Sequence, residues 1–597
     1  MLFMPMSGPA QEGPRPEHVG RVLDWSYRHI VVSGGLSAAN LEAAKTEPRI
    51  LVHLADRNLR RAAGQGGNAR ENDLPAGLAD STLTITKKPP LKRDWSVSLG
   101  AGSIAPNMFP AKFSFDVNAT PDCLNDYVVF ALNVVGATGG QANIVGLNQL
   151  YSGVGGICAG PNVNWAYNGS TGGGKILTSP VISLNGKKIA YVESAGASAI
   201  FHVLALGPSG GTVAIAAPPI PNGLCLNTSS CLTSVTLSST ATATLASPWI
   251  DYETDKAFVG TDDGNIYKIS CVFKCALNSQ PTVLWTFALP VAGTGGAAAT
   301  PNGPVYDFPS GDLFVGDQLG ELWVIHARSN TTPRLAAGPV MIGGGRCTVD
   351  HPPGRTGTPG PGTDCVARGG SYGIPDSVIF DSAGNGQRVY AFSGNDGTAN
   401  ASAVVAQLAS DLTGLVRVHI GRGSVNNTTS NVDIHSGAFD DKYFGATPTN
   451  GNLFVCGTTG ATNAMFYWIG FSAYPVMNPA VTGSIARGTP PGDPCTPLTE
   501  IYNPNVDFGG GDHDIIISGV VNPNGALRTN DISTGAITGN LSGRSYPGGV
   551  SGVIFDDVST SGQASSVYFS TLQTNVNTGG CNGNIHCAVK LTQDGLN

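Results

Sequence analysis

The sequence predicts an all-β protein: a β-propeller, with eight blades, that is preceded by an N-terminal arm containing a short helix. Two observations carry this prediction. A unit built only from strands recurs about eight times, and the composition, with 81 Gly, 40 Pro and 12% charged residues, is typical of a turn-dense chain poor in helices. A strand-only unit of this length cannot bury its apolar faces alone, so neighbouring units must pack side by side in a ring.

The clearest copy of the unit spans residues 246–289. It begins with a Ser-Pro step at 247–248, continues with two apolar strands within 256–270 that are joined by an Asp-Gly turn, and ends with an outer strand around Trp285. The count of eight blades comes from eight apolar second strands like that at 256–259, which lie at 126–131, 188–192, 256–259, 312–315, 388–392, 452–455, 514–517 and 566–569. The count falls to seven if the irregular unit at 488–541 is an insertion.

The two ends of the repeat region are complementary. The last unit stops after its third strand, residues 587–592, whereas the segment before the first blade, residues 91–99, has the pattern of an outer strand. Pairing these two segments removes two exposed strand edges, so we predict that they close the ring. The side chains expected at this closure are Trp95, Val97, Val589 and Leu591.

Residues 1–94 form a predicted arm or cap that differs from the propeller region, residues 95–597. Residues 22–32 alternate in part like a strand, and residues 37–47 have the pattern of a capped helix. The arm is long and partly apolar, which suggests that it packs on a neighbouring subunit and drives self-assembly into an oligomer, or into a filament if the contact is head-to-tail. The alternative is that the arm folds back on its own propeller.

The twelve cysteines are even in number and fall into six pairs of near neighbours, which predicts six local disulfides. Such bonds indicate an oxidising compartment, so the protein is expected to be secreted or periplasmic. A metal role is weaker, because the close pair at 271 and 275 has no His after it and no second close pair at zinc-finger spacing. The predicted pairs are Cys123 with Cys158, Cys225 with Cys231, Cys271 with Cys275, Cys347 with Cys365, Cys456 with Cys495, and Cys581 with Cys587.

Charge and hydropathy argue against two classes of partner. The net charge is −8, whereas a protein that binds nucleic acid needs a basic face. No apolar run reaches the ~20 residues that a membrane-spanning helix requires. The expected partners are therefore a second copy of the chain or an extracellular ligand.

The repeat, with its Trp, Ser-Pro step, aromatic-Val strand, Asp-Gly turn and Ile-Tyr strand, resembles the repeats of bacterial quinoprotein-like and WD40/YVTN-like propellers over residues 95–597. The resemblance implies the fold, and together with the cysteines it suggests a secreted bacterial protein. Quinoprotein enzymes bind pyrroloquinoline quinone beside an adjacent Cys-Cys pair and a calcium ion. This chain has neither an adjacent Cys pair nor an Asp-rich calcium loop, so the resemblance extends to the fold and not to the cofactor.

The most polar cluster in the predicted blades is the segment 509–514. Its residues Asp512, His513 and Asp514 form a candidate site for a divalent metal or for acid–base chemistry. The alternative, which we favour, is a turn that leads into the strand at 514–517, with Asp fixing the turn. No cofactor is otherwise predicted.

Low charge, dense local disulfides and the lack of a convergent catalytic set favour a non-enzymatic function. We predict a secreted structural or binding protein that self-assembles through its arm. The alternative is an enzyme, either a quinoprotein-like oxidoreductase or a polysaccharide lyase or hydrolase that uses the mouth of the propeller channel.

Overall fold

The structure, a computed structural model, describes part of the chain: residues 21–34, 47, 49–50, 91–115, 121–153, 155–208, 210–221, 225, 229–290, 300–343, 345–346, 365–366, 373–383, 386–396, 402–423, 434–445, 447–459, 463–487, 495–503, 513–521, 525–537, 540–557, 565–574 and 585–592. Within these residues, eight sheets of four to six strands form the blades of an eight-bladed β-propeller. The predicted fold class and blade number are confirmed, and the irregular unit near 488–541 contributes a full blade.

Three strands precede the first complete blade: β1 (Arg21–Leu23), β2 (Ile30–Val31) and β3 (Lys92–Gly100), with a 3₁₀ helix at Trp25–Arg28 between the first two. Blade 1 adds β4 (Ala111–Ser114), β5 (Tyr127–Ala131), β6 (Ile144–Asn148) and β7 (Asn162–Tyr167). Blade 2 contains β8 (Lys175–Ile176), β9 (Val181–Ile182), β10 (Lys188–Ala195), β11 (Ser198–Ala205), β12 (Ile220–Pro221) and β13 (Cys231–Ser238). Blade 3 contains β14 (Trp249–Asp251), β15 (Lys256–Gly260), β16 (Asn265–Ser270) and β17 (Thr282–Ala288).

Blade 4 contains β18 (Val305–Asp307), β19 (Asp312–Gly316), β20 (Glu321–His326) and β21 (Arg334–Met341), and is followed by a two-stranded sheet of β22 (Gly345–Arg346) and β23 (Cys365–Val366). Blade 5 contains β24 (Ile379–Asp381), β25 (Arg388–Ser393), β26 (Ala403–Ala409) and β27 (Val416–Ile420). Blade 6 contains β28 (Ala438–Phe439), β29 (Asn452–Thr459), β30 (Asn463–Gly470) and β31 (Gly483–Ala486), with 3₁₀ helices at Asp441–Phe444 and Pro448–Asn450. Blade 7 contains β32 (Thr499–Asn503), β33 (His513–Ser518), β34 (Ala526–Asp531) and β35 (Asn540–Ser545), and blade 8 contains β36 (Ile554–Asp557), β37 (Ser565–Ser570) and β38 (His586–Thr592).

The second strand of each blade is buried because a neighbouring sheet covers each of its faces. In β5, the consecutive residues Val128, Val129 and Phe130 are all fully buried, although their side chains alternate between the two faces. β15 and β19 share the pattern Phe-Val-Gly and are buried in the same way. Each blade therefore supplies half of two interfaces, and the core lies between blades.

The ring closes through the two ends of the described chain. β3 pairs antiparallel with β38, so that Trp95 lies opposite Lys590 and Val97 lies opposite Ala588. The first strand of the propeller region thereby completes the last blade. Buried ion pairs reinforce the closure: Lys590 Nζ lies 3.1 Å from Asp94 Oδ2 within blade 8, and Lys112 Nζ of blade 1 lies 2.8 Å from Asp556 Oδ2 of blade 8.

The N-terminal segment, residues 21–34, crosses the central channel. β1 pairs antiparallel with β4 of blade 1, and β2 pairs parallel with β24 of blade 5. Blades 1 and 5 stand on opposite sides of an eight-bladed ring, so the chain between them spans the channel. This part of the arm folds back on its own propeller. Of the remaining arm, only Glu47, Arg49, Ile50 and residues 91–94 are described, so all but Glu47 of the helix predicted at 37–47 lies outside the described residues.

Four of the predicted cysteine pairs form disulfides in the structure: Cys123 with Cys158, Cys225 with Cys231, Cys271 with Cys275, and Cys456 with Cys495. Cys587 is also disulfide-bonded. Its predicted partner Cys581 and the side chains of the Cys347 and Cys365 pair lie outside the described residues. Among the helices in the described part of the chain, none is long and apolar enough to cross a bilayer.

Candidate functional site

The candidate site is a cavity of about 860 Å³ at one end of the channel. Its lining comes from residues that precede the inner strands, such as Ser247 and Asn302, and from turns between second and third strands, such as that of Gln318. Both kinds of segment lie on the same face of the ring, which we call the upper face. Trp25 of the N-terminal segment also lines this cavity. Because the segment crosses the channel below the cavity, we call the cavity the cup.

Trp25 is held in place by blade 3. Its indole packs edge-on against Trp249, the first residue of β14, and its Nε1 donates a hydrogen bond to the carbonyl of Pro248 at 3.3 Å. The local chain favours this position because Asp24 caps the short 3₁₀ helix, accepting a hydrogen bond from Ser26 N at 2.9 Å. Trp25 is only 3% exposed, so it forms a fixed floor.

Arg49 locks the segment onto blade 3. Its Nε donates to Ser26 Oγ at 2.6 Å, and its Nη2 donates to the carbonyl of Ile250 at 3.0 Å. Its guanidinium lies 4.2 Å from the ring centroid of Trp249 and pairs with Glu47 at 2.8 Å. A buried guanidinium with this many partners is a rigid cross-link between the arm and the propeller.

The other end of the segment is anchored to blade 5. His29 Nδ1 donates to the carbonyl of Val378 at 3.0 Å, and Ser33 Oγ donates to Asp381 Oδ2 at 2.5 Å. Burial lowers the pKa of His29 to about 4, although the nearby Asp376 carboxylate opposes the shift. His29 is therefore neutral at neutral pH and serves as a buried hydrogen-bonding anchor.

The rim of the cup is tied together by hydrogen bonds between neighbouring blades. Ser179 Oγ accepts from Phe109 N of blade 1, and Ser247 Oγ accepts from Ser179 N, both at 2.9 Å. Asp376 joins blades 5 and 6 in the same way, because its Oδ2 accepts from Ser436 N at 2.9 Å and from Ser436 Oγ at 2.7 Å. The serines of the Ser-Pro step thus hold adjacent blades in register.

The walls of the cup carry side chains that are free to bond a ligand. The carboxamides of Asn133 and Gln318 form no hydrogen bond with the described residues. Asn107 has a φ of 65° and a buried Oδ1 without a partner in the described part of the chain. Val135 and Leu245 at the mouth are each 47% exposed. The cup therefore combines an apolar mouth with neutral polar groups deeper down.

A smaller cavity of about 160 Å³ lies on the other side of the segment. It is lined by apolar inner-strand residues such as Phe439 and Ile554 and by Arg28. Arg28 Nη1 donates to Thr499 Oγ1 at 3.4 Å, and its guanidinium stands 5.1 Å from the ring centroid of Phe109. Burial lowers the pKa of Arg28 to about 10. The N-terminal segment thus separates two cavities, and the cup is closed from below.

The predicted metal cluster is not part of the cup. Asp512 and the side chain of His513 lie outside the described residues. Asp514 is the second residue of β33, at the lower end of blade 7, where it is buried and accepts a hydrogen bond from Asp441 N of blade 6 at 2.5 Å. Across the part of the chain that the structure describes, no group of three or more His, Cys, Asp or Glu side chains is placed to hold a metal ion. The metal site stays a prediction.

The sequence contained signals for the rim but not for the walls. The repeated Ser-Pro step marks the positions whose hydroxyls bridge the blades, although its bridging role was not predicted. Asn107, Asn133 and Gln318 lie far apart in sequence and share no motif, so only the closed ring brings them together. Trp25 was placed in an arm, and its role as a floor depends on the crossing of the channel.

No protein-family model matches the chain, and no curated protein matches it. Several solved propeller structures are similar to it. Sqt1 from Saccharomyces cerevisiae is 9% identical, with coverage of 84% of this chain and 98% of that chain and a TM-score of 0.43. BamB from Moraxella catarrhalis is 13% identical, with coverage of 84% and 99% and a TM-score of 0.36.

The dihydro-heme d1 dehydrogenase NirN, in complex with DHE, is 12% identical, with coverage of 71% of this chain and 75% of that chain and a TM-score of 0.31. Similarities at these scores carry no inference about function. The assignment of the chain to the eight-bladed β-propellers rests on the strand order of its own eight sheets.

Proposed function

We propose that the protein is a binding protein that works outside the cytoplasm and takes its ligand in the cup. The observation that carries the proposal is the preformed cavity of about 860 Å³, which has a fixed floor and free polar groups in its walls. Ligand sites are typically concave, largely apolar and furnished with a few convergent polar groups. A floor that is built from the chain's own arm makes the site a blind cup rather than a channel.

The disulfides support a location outside the cytoplasm, in the periplasm or the extracellular space. Four bonds join cysteines of the described chain, and no free thiol occurs within it. Such bonds form and persist in oxidising compartments and are rare where thiols are kept reduced.

Self-assembly through the arm, as an oligomer or a filament, remains the second part of the proposal. Residues 21–34 pack inside their own channel, so the contact with a neighbouring copy would fall to other parts of residues 1–60, of which residues 1–20 can be removed by a terminal deletion. Deleting residues 1–20 alone leaves the floor of the cup intact. A fall in molar mass by light scattering supports assembly through these residues, and an unchanged mass overturns it.

The binding proposal is tested by a thermal-shift screen with soluble saccharides, peptides and amphiphiles. Leu245→Trp narrows the mouth of the cup, and Leu184→Trp is the matched control, because Leu184 is 37% exposed in the turn before β10 at the lower face. Compounds that raise the melting temperature of the wild type and the control, but not of Leu245→Trp, support the proposal. Compounds that act equally on all three proteins bind elsewhere and contradict it. Turnover of a bound compound would favour the enzyme alternative.

A further inference from the structure

We propose that the ligand of the cup is a neutral polyhydroxylated molecule, namely a short oligosaccharide. This inference rests on the proposed binding function and names its ligand class. It is carried by the free carboxamides of Asn107, Asn133 and Gln318. A carboxamide offers a donor and an acceptor side by side, as does each hydroxyl of a sugar, so the two groups can exchange paired hydrogen bonds.

In the buried part of the described lining, no ionisable group is available to hold a charged ligand. Asp376 accepts three hydrogen bonds, from Ser377 N at 2.8 Å and from the amide and hydroxyl of Ser436. Lys175 is exposed at the mouth, where water screens its charge. His435 is buried and already has an interaction partner. A charged ligand would lose its hydration without gaining a free counter-charge inside the cup.

Asn107 adds an independent observation. Its φ of 65° is in the left-handed region, which a non-glycine residue adopts at a cost. Its Oδ1 is buried without a hydrogen-bond partner among the described residues. Because Asn107 lines the cup and is only half-buried, rotation of its carboxamide would bring the unpaired Oδ1 to a ligand hydroxyl and satisfy it.

The backbone around the cup disfavours a peptide ligand. Peptides that bind by strand addition need free main-chain amides and carbonyls along one edge. The amides of Phe109, Ser179 and Ser436 are used in the interblade hydrogen bonds, and Gly552 N donates to the carbonyl of Met108 at 2.8 Å. The walls and the mouth of the cup therefore offer side-chain amides and aliphatic faces, which suit the hydroxyls and C–H faces of a pyranose.

The size of the cup sets the length of the ligand. Its volume of about 860 Å³ lies near the upper end of the range for small-molecule sites. A single sugar would leave most of the walls without contact, whereas an oligosaccharide of a few units reaches both the floor and the mouth.

The test is isothermal titration with five probes: cellotetraose, maltotetraose, tetra-N-acetylchitotetraose, tetragalacturonate and a capped tetra-alanine peptide. We expect at least one neutral saccharide to bind. We expect its affinity to fall about tenfold or more in the double variant Asn133→Ala and Gln318→Ala, since about one hydrogen bond is lost at each site. The matched control is Gln387→Ala, just before β25 at the lower face. The substituted amides bond nothing in the described chain, so we expect the variants to melt at the temperature of the wild type. Equal melting temperatures then show that the variants fold.

Binding of the charged saccharide or of the peptide alone, lost in Leu245→Trp, would overturn the ligand class while the binding function stands. Failure of all three neutral saccharides would likewise overturn it. The thermal-shift screen then reports separately whether the cup binds any compound at all. Neutral-saccharide binding that the double variant leaves unchanged would also contradict the inference, because it would place the sugar away from the carboxamides.

Discussion

The indoles of Trp25 and Trp249 meet edge to face, with ring centroids 5.9 Å apart and planes inclined by 77°. One ring belongs to the N-terminal segment and the other to the first inner-strand residue of blade 3. Arg49 also packs on Trp249, with its guanidinium over the indole ring. This contact fixes the height of the floor, and the depth of the cup therefore depends on one aromatic pair.

Replacing Trp25 with Ala removes the floor and leaves a void in the channel. We expect the docking of the segment to weaken by about 3–5 kcal/mol, as for other buried aromatic truncations. Hydrogen exchange measures the effect as faster exchange in β1, β2 and their partner strands β4 and β24. Trp285→Ala, in the outer strand of the same blade, is the control and should leave β2 unchanged. Equal acceleration by both variants would mean that Trp25 does not hold the segment.

The Arg49→Lys substitution keeps the positive charge but loses the planar guanidinium. The bond from Nη2 to Ile250 and the stacking on Trp249 are both lost, so we expect a loss of about 1–3 kcal/mol in unfolding free energy. Chemical denaturation followed by fluorescence measures it. Among the described residues, the Arg388 guanidinium bonds only the carbonyl of its neighbour Gln387, so Arg388→Lys should cost less than about 0.5 kcal/mol. A similarly small loss of unfolding free energy for Arg49→Lys would show that the positive charge alone, without the guanidinium contacts, holds the segment on blade 3.

The anchor at His29 makes the protein less stable in acid. The unfolded chain takes up a proton near pH 6.5, whereas the folded chain resists it until about pH 4. Stability is therefore fully present above pH 6.5 and falls by about 3 kcal/mol as the pH drops from about 6.5 to 4. The difference in unfolding free energy between wild type and His29→Gln, measured across this range, should change accordingly. His326→Gln, on the exposed side of blade 4, is the control, and a pH-independent difference for His29→Gln would refute the prediction.

The ion pair between Lys112 and Asp556 joins blades 1 and 8. Replacing Lys112 with Met leaves a buried carboxylate facing an apolar group, so we expect a loss of about 3–5 kcal/mol. Adding Asp556→Leu removes that carboxylate and should restore part of the loss. Lys256→Met is the surface control, with an expected effect below about 0.5 kcal/mol. A single variant as stable as the control would show that the pair contributes nothing to closure.

The disulfides should differ in strength with the length of chain that they close. The bond between Cys456 and Cys495 closes a separation of 39 residues, whereas that between Cys271 and Cys275 closes only 4. The chain-entropy model gives about 4 kcal/mol for the longer loop and about 2 kcal/mol for the shorter one. Denaturation of the two double Cys→Ser variants tests the order, and the reverse order would contradict the entropic account.

Much of the fold could be predicted from the sequence, because strand-only repeats bury their apolar faces by packing side by side in a ring. The repeated apolar strands, such as those at 256–270, mark where each blade lies. The segments near Trp95 and Val589, which have no partner within their own repeats, pair with each other and close the ring. The crossing of the channel could not be predicted. The alternation of residues 22–32 resembles one strand, but Asp24 caps a 3₁₀ helix that breaks it into β1 and β2.

The candidate site was beyond the reach of sequence analysis for a different physical reason. Its carboxamides come from the first and fourth blades and their approach segments, and no spacing relates Asn133 to Gln318. The segment 509–514 was predicted as a candidate metal site because its polar residues are adjacent in sequence. Asp514 instead ties blades 6 and 7 together at the lower face, where its carboxylate accepts from Asp441 N.

The account depends most on the presence of the N-terminal segment in the channel of its own chain. Phe380 N donates to the carbonyl of His29, and Ser382 N donates to the carbonyl of Val31, both at 2.9 Å. Hydrogen exchange at single-residue resolution tests these two amides directly. We predict strong protection of both in the wild type and loss of that protection in Trp25→Ala. Rapid exchange of Phe380 and Ser382 in the intact wild-type protein would contradict the crossing and, with it, the floor of the cup.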